Sequence, residues 1–112
     1  MKRLQVEFKR EDTRGFLIQV NTNSWKQMNH LFIIAGESFG GHYHKKKEEL
    51  FYVTKGDVTI DIINDLGGKS IDLKKGDCVL VEPYDVHTVH AITDCEIIEL
   101  LSESYSEEDT YV

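Results

Sequence analysis

The sequence predicts an all-β fold of the sandwich or barrel type, formed by a single domain over residues 1–112. Three observations support this. Short segments alternate apolar and polar residues, turn-forming residues separate them about every ten positions, and no apolar repeat of helical period persists for three turns. With 112 residues, of which 40% are hydrophobic, the chain is long enough for one core.

The predicted strands follow one another with a turn between each pair. They cover residues 4–8, 16–20, 30–35, 50–55, 57–63, 70–73, 78–82, 86–92 and 96–101. Gly56 stands alone between two strands and predicts a tight hairpin with positive φ, and Gly76 predicts a similar turn. Residues 102–112 form a polar, acidic tail, which we expect to be either a helical turn or a frayed end.

The charge balance limits the classes of partner. Lys and Arg number 13 against 20 Asp and Glu, and the net charge of −7 disfavours nucleic acid as the main partner. No apolar run reaches the ~20 residues of a membrane span, and the N-terminal segment lacks the apolar stretch of a signal peptide. We therefore expect a cytoplasmic protein with a small-molecule ligand and no membrane partner.

Two histidines one residue apart, His42 and His44, begin the most informative segment. Alternate residues of a strand share a face, so both imidazoles should point the same way. Glu49 and His87 follow them in the chain. Three imidazoles and a carboxylate on one inner face would suit Fe, Mn, Ni, Co or Zn. The alternative is a solvated hairpin entry with His87 packed in the core.

The spacing around these histidines favours the metal site. Gly36 is followed after five residues by H-Y-H (His42 and His44), after four more by Glu49 and after six more by Gly56. This pattern resembles the first motif of the cupin superfamily. The second cupin motif resembles residues 76–87, G-D-C-V-L-V-E-P-Y-D-V-H. The second match is looser, with Glu82, Tyr84 and Ala91 at positions where the motif has proline, glycine and asparagine.

The resemblance implies a double-sheet jelly-roll β-barrel, commonly a homodimer, that binds a divalent transition metal. The metal ligands carried over from the family pattern are His42, His44, Glu49 and His87.

A finer resemblance indicates a branch of this superfamily. D-T-R-G-F-L at 12–17 and H-Y-H-K-K at 42–46 are similar to segments of cupins that act on nucleotide-linked keto-deoxysugars, the 3,4-ketoisomerases and 3,5-epimerases. The resemblance implies a sugar nucleotide as ligand. Those enzymes usually need no metal and tend to carry Gln where this chain has Glu49.

Isomerisation of a keto sugar needs a base with a pKa near neutrality and a group that stabilises the oxyanion. His42 and His44 are the candidate bases if no metal is bound. Tyr52, or Tyr43, is a candidate proton donor, and cross-strand packing is the alternative role for either tyrosine.

Two basic residues are candidates for substrate binding. Arg14 has the planar fork that clamps a diphosphate or carboxylate, and otherwise it is a turn residue beside Gly15. Lys46 lies in the run Lys45–Lys47, which either attracts an anionic substrate or forms a solvated hairpin tip.

The sequence leaves three functions open. The first is a metal-assisted isomerase or epimerase acting on a keto sugar or nucleotide sugar. The second is a cupin that binds a sugar or other metabolite without catalysis. The third is an Fe-dependent dioxygenase, because the same ligand set can hold Fe(II) with open positions.

Overall fold

The computed structural model describes residues 1–104 and 106–112, which form eleven β-strands and a short 3₁₀ helix over Glu107–Asp109. The strands are β1 (Lys2–Leu4), β2 (Phe8–Asp12), β3 (Gly15–Gln19), β4 (Gln27–Ile33), β5 (Ser38–His42), β6 (Glu49–Lys55), β7 (Asp57–Asn64), β8 (Gly67–Lys74), β9 (Cys78–Val81), β10 (Val86–Ala91) and β11 (Cys95–Leu101).

Two antiparallel sheets make up the body of the fold. One has five strands in the order β1-β9-β6-β11-β4, and the other has four in the order β5-β10-β7-β8. Strands β2 and β3 form a separate hairpin. Strands that are distant in the chain are neighbours in both sheets, as in a double-sheet jelly roll. The predicted fold class is confirmed.

The apolar core lies between the two sheets. Alternate residues of the central strands point into it, and Val53, Ile60 and Ile97 are fully buried there. In β6 this inward set begins with Glu49 and continues through Phe51 to Val53, as the alternation predicts. In the part of the chain that the structure describes, no helix is long and apolar enough to cross a membrane.

The predicted strand over residues 4–8 is wrong. The chain forms β1, which ends at Leu4 opposite Cys78 in β9, and then leaves that sheet before β2 begins at Phe8. The alternation of apolar and polar residues continues from β1 into β2, because the chain is extended in both strands. Pattern alone therefore cannot show that they belong to different sheets.

The hairpin predicted at Gly56 is also wrong. Strand β6 belongs to the five-stranded sheet and β7 to the four-stranded sheet, so Gly56 is a corner between sheets. Its positive φ of 85° was correctly expected. A Cβ at this position would collide with the carbonyl oxygen of Asp94, so the tight corner requires glycine.

Candidate metal centre and pocket

The four predicted metal ligands come together at one end of the barrel. Potential ligand atoms of His42, His44, Glu49 and His87 all lie within 4.8 Å of one another. His42 ends β5 and His87 lies in β10, both in the four-stranded sheet, while Glu49 begins β6 in the facing sheet. The cluster therefore bridges the two sheets.

A β-bulge aims His42 into the barrel. His42 pairs with His87, and Gly40 pairs with Thr88, so Gly41 is an extra residue between them. Gly40 and Gly41 have φ of +121° and +77°. A Cβ on Gly40 would lie 2.5 Å from the carbonyl oxygen of His87, so the bulge needs glycine there. The sequence analysis did not predict β5, because its two glycines obscure the strand pattern.

Glu49 is the centre of the cluster. Its side chain is almost fully buried. Oε1 lies 2.5 Å from Nε2 of His44, and Oε2 lies 3.5 Å from Nε2 of His87. Burial by itself would raise the pKa of Glu49, but the hydrogen bonds from these two imidazoles outweigh it and hold the pKa below its usual range. Glu49 is therefore ionised at neutral pH.

The other ring nitrogen of each buried histidine is held by a backbone carbonyl. Nδ1 of His44 donates to the carbonyl of Asp109 at 2.6 Å, and Nδ1 of His87 donates to that of Asp85 at 3.1 Å. A carbonyl can only accept, so each Nδ1 carries a proton and Nε2 faces the cluster. The hydrogen bonds to Glu49 place a proton on Nε2 as well, and a bound metal ion would displace that proton. Histidine ligands of metals are usually oriented in this way.

The cluster therefore fits a divalent first-row transition metal. It offers three imidazole nitrogens and one ionised carboxylate, and it contains no thiolate, in agreement with the donors that Fe, Mn, Ni, Co and Zn accept. Nε2 of His44, Nε2 of His87 and the carboxylate already converge on one volume.

His42 differs from the other two histidines because it is only half-buried. Its ring meets those of His44 and His87 edge-on, with centroid separations of 5.0 and 4.7 Å. Burial, reinforced by the charge on His87, lowers the pKa of His42. His42 is therefore a neutral imidazole at pH 7, whereas the bond to Glu49 outweighs burial and raises the pKa of His87.

A pocket of about 240 Å³ opens onto the cluster. Its wall includes His42, His44, Glu49 and Lys47, with Gln27 and Asn29 from β4. The side chain of Lys47 is only 2% exposed, so the prediction that the whole lysine run forms a solvated tip is wrong for this residue. Its positive charge contributes to the lowered pKa of His42.

Glu99 is a pocket residue that the sequence analysis missed. It accepts a hydrogen bond from Nδ2 of Asn29 at 2.8 Å and is hydrogen-bonded to Glu49. Burial first, and then the neighbouring Glu49 carboxylate, raise the pKa of Glu99 to about 7. A sequence signal was present, because Glu99 alternates with Ile97 and Leu101, both of which face the core.

Comparison with known proteins identifies the family. Residues 29–101 match the model of the cupin domain family. The chain belongs to the cupin family. No curated protein gives a significant match to this cupin.

Solved structures with the same fold include several sugar-modifying enzymes. A 3,4-ketoisomerase from Helicobacter canadensis is 20% identical with a TM-score of 0.88, and the match covers 97% of this cupin and 87% of that chain. The WlaRB TDP-quinovose 3,4-ketoisomerase from Campylobacter jejuni is 19% identical with a TM-score of 0.88, over 98% and 90% of the two chains. A variant of the 3,4-ketoisomerase QdtA from Thermoanaerobacterium thermosaccharolyticum, in complex with TDP-4-keto-6-deoxyglucose, is 20% identical with a TM-score of 0.86, over 96% and 83%. At these identities the likeness shows the fold.

The other predicted site residues of this cupin lie away from the cluster. Tyr52 is on the outer face of β6, where it lines a different pocket with Phe16 and Ile18 of the β2–β3 hairpin. Arg14 is exposed at the turn of that hairpin and makes a bidentate pair with Asp12 at 2.7 and 3.2 Å. Within one chain, neither residue reaches the imidazoles.

Lys46 is also outside the pocket wall of this cupin. Its side chain is exposed on the loop that follows His44, while its backbone N–H binds the Asp109 carboxylate. Tyr43 is half-buried just before His44, and its ring stacks on Tyr84 with a centroid separation of 6.2 Å.

The loop of the second motif departs from the family pattern at Tyr84. This residue has a φ of 70°, although the family pattern has glycine there. Its N–H donates to the carbonyl of His44 at 2.7 Å. The next residue, Asp85, is buried, and its carboxylate accepts from Nδ2 of Asn64 and from the N–H of Glu82. These bonds hold the carbonyl that orients His87.

Proposed function

We propose that this cupin acts on a nucleotide-linked keto sugar and moves its carbonyl to a neighbouring carbon. The observation that carries the proposal is His42, a neutral, half-buried imidazole on the wall of a pocket whose other histidines are fixed by hydrogen bonds. The similarity in fold to ketoisomerases, one of them in complex with TDP-4-keto-6-deoxyglucose, supports it. A pocket of about 240 Å³ suits one sugar ring, and the nucleotide would lie outside it.

The reaction requires one base and a stabilised oxyanion. A proton leaves the carbon next to the carbonyl, and the electron pair left behind forms an enediolate. A proton is then added to the former carbonyl carbon. The neighbouring hydroxyl gives up its proton and becomes the new carbonyl, while the former carbonyl oxygen takes up a proton and becomes a hydroxyl, so no oxidant or reductant is consumed. His42 is the proposed base, because both ring nitrogens of His44 already have partners in Glu49 and the Asp109 carbonyl.

Lys47 is the proposed electrostatic partner of the enediolate. It is buried on the pocket wall, where a positive charge acts more strongly on a developing oxyanion than it would in water. We expect Lys47→Met to lower kcat by about 10²–10³-fold, as loss of one oxyanion partner does. Lys46→Met is the matched control, because it removes the same charge from an exposed side chain one residue away. Equal kcat values for the two variants would remove Lys47 from the proposal.

We also propose that the four-residue cluster holds one divalent transition metal. When bound, the ion would supply a Lewis acid that polarises a carbonyl oxygen. His42 would then be a ligand and not a free base, so these two uses of His42 are alternatives. The metal content of the purified protein, measured by mass spectrometry, separates them. About one ion per chain that is lost in His44→Ala supports the metal form, and none after reconstitution supports His42 as base.

The isomerase proposal is tested by proton exchange. TDP-4-keto-6-deoxyglucose is incubated with the protein in deuterium oxide, and the sugar is followed by NMR. We expect deuterium at the carbon next to the carbonyl and formation of the 3-keto isomer, both absent with His42→Gln. His30→Gln, a change at an exposed histidine on the outer face, should keep the activity.

Two outcomes would favour the other functions. Tight binding of sugar nucleotides without exchange would support a metabolite-binding cupin. Oxygen uptake by the iron-loaded protein would support a dioxygenase, because the donor set also suits Fe(II).

We further propose that the chain forms a homodimer. Strand β4 is at the edge of its sheet and exposes Met28 and Phe32, and the β2–β3 hairpin exposes Phe16 and Leu17. An unpaired edge beside exposed apolar side chains is best covered by another protein surface, and a second copy offers the same features in return. Light scattering on the purified protein should give twice the chain mass, and Phe32→Lys should shift it towards the monomer.

A further inference from the structure

The end of the acidic tail packs against the loop after β5, which carries His44. Residues 107–111, which we call the strap, contain the 3₁₀ helix and end in a short pairing with the loop after β5. Tyr43 and Tyr111 exchange both backbone hydrogen bonds, at 2.9 and 3.0 Å, and their rings stack at 5.2 Å. Nζ of Lys45 lies 4.3 Å from the centroid of the Tyr111 ring. The strap is therefore docked and not frayed.

Asp109 is the strap residue that contacts the site most directly. It is only 8% exposed, and its carbonyl accepts the Nδ1–H of His44 at 2.6 Å. Its carboxylate accepts the backbone N–H groups of Lys45 and Lys46 at 3.0 and 3.3 Å. One residue thus holds both the ring of His44 and the two peptide groups that follow it.

We propose that Asp109 is a positioning residue that fixes the tautomer and orientation of His44. The carboxylate anchors residue 109 against the loop, and this anchoring keeps the residue 109 carbonyl in line with Nδ1 of His44. Nε2 of His44 then faces Glu49 and the position of the metal. Loss of the outer partner of a ligating histidine typically weakens metal binding 10- to 100-fold. Removing the Asp109 carboxylate should have this effect by displacing the backbone carbonyl from Nδ1 of His44. The metal part of this inference rests on the proposed metal site, whereas the tautomer part does not.

The test compares Asp109→Ala with Glu108→Ala. Both variants remove one negative charge from the same 3₁₀ helix, but the side chain of Glu108 is exposed. The first measurement is the tautomer of His44 in the metal-free protein, from ¹⁵N NMR shifts of the ring nitrogens at a pH at which the ring is neutral. The second is the affinity for Zn²⁺ alone, titrated in competition with a chromophoric chelator. Both are made at a temperature at which melting curves show each variant folded.

We expect Asp109→Ala to give a mixture of His44 tautomers and 10- to 100-fold weaker zinc binding, with Glu108→Ala within twofold of the unmodified protein. A single Nδ1–H tautomer together with unchanged affinity in Asp109→Ala would overturn the inference. If Asp109→Ala does not fold, Asp109→Asn replaces it. This variant keeps the acceptor for one of the two N–H groups, so we expect a smaller change in the same direction, and no change in either measurement would overturn the inference. If the unmodified protein binds no zinc, the metal proposal fails separately and the tautomer measurement alone decides the role of Asp109.

Discussion

Replacing Glu99 by glutamine should change how the stability of the protein depends on pH. Burial and the Glu49 carboxylate raise the pKa of Glu99 from 4.5 to about 7, so the folded state favours the protonated form. At pH values between 4.5, the pKa in the unfolded chain, and about 7, the pKa in the folded chain, the folded chain binds more protons than the unfolded chain. The free energy of unfolding therefore falls as the pH rises through this range. Above about pH 7 the loss is complete. Glutamine keeps the hydrogen-bonding capacity towards Asn29 and Glu49 without titrating.

The size of the effect follows from the pKa. At about 1.4 kcal/mol per pH unit, a rise from 4.5 to about 7 corresponds to about 3 kcal/mol. The free energy of unfolding of the metal-free protein is measured by urea denaturation at pH 5 and pH 8, with chelator present. From pH 5 to pH 8 we expect the free energy of unfolding to fall by about 2–3 kcal/mol more in the unmodified protein than in Glu99→Gln. Most of the titration of Glu99 lies between these two pH values.

An exposed carboxyl provides the control for this measurement. Glu37→Gln changes the same charge at an exposed residue and should keep the full pH dependence of the unmodified protein. Equal losses of stability in Glu99→Gln and the unmodified protein would refute the reasoning. Glu99 would then be ionised in the fold, and the Glu49 and Glu99 carboxyls would not share a proton.

Three further predictions follow from the geometry. Gly40→Ala should lower the free energy of unfolding, measured by urea denaturation, by about 2 kcal/mol or more, because residue 40 has a positive φ and its new Cβ would meet the His87 carbonyl. Gly68→Ala is the control and should cost much less, because no atom lies closer than 3.9 Å to its new Cβ. Tyr84→Gly should be more stable than Tyr84→Ala by about 1 kcal/mol in thermal unfolding, since both lose the ring and only glycine is relaxed at positive φ. Glu49→Gln should lower the pKa of His87 in an NMR titration, because Glu49 opposes the effect of burial there, and an unchanged value would contradict the assigned contact.

Most strands could be predicted because alternation is a local property. Side chains that face the core recur every second residue wherever a strand covers it, and this pattern appears in β6, β7 and β10. Pairing is not local. A single glycine between two strands is compatible with a hairpin and with a corner between sheets. At Gly56 the two are distinguished by the pairing of β6 and β7 in different sheets. Sequence reasoning therefore located the elements better than their partners.

The four clustered residues were predictable for a different reason. Their spacing follows a family pattern, and the fold brings those four positions together. The residues that tune the cluster have no such pattern. Glu99 could have been found from its alternation with buried neighbours, but Asp109 has no signal in an acidic tail, where it resembles the exposed Glu107 and Glu108.

The position of the Lys47 charge in the pocket depends on a contact between the lysine run (residues 45–47) and Asp109 of the C-terminal tail. Because residues 45–47 are all lysine, the sequence does not indicate which of the three side chains is buried. The Asp109 carboxylate, 64 residues from Lys45 in the chain, holds the N–H groups of Lys45 and Lys46. That backbone leads directly into Lys47, whose side chain is buried on the pocket wall. Asp109 therefore orients His44 and also positions the backbone from which the charged side chain of Lys47 extends to the pocket wall. A change at Asp109 should accordingly alter the pKa of His42, to which Lys47 contributes, as well as the tautomer of His44.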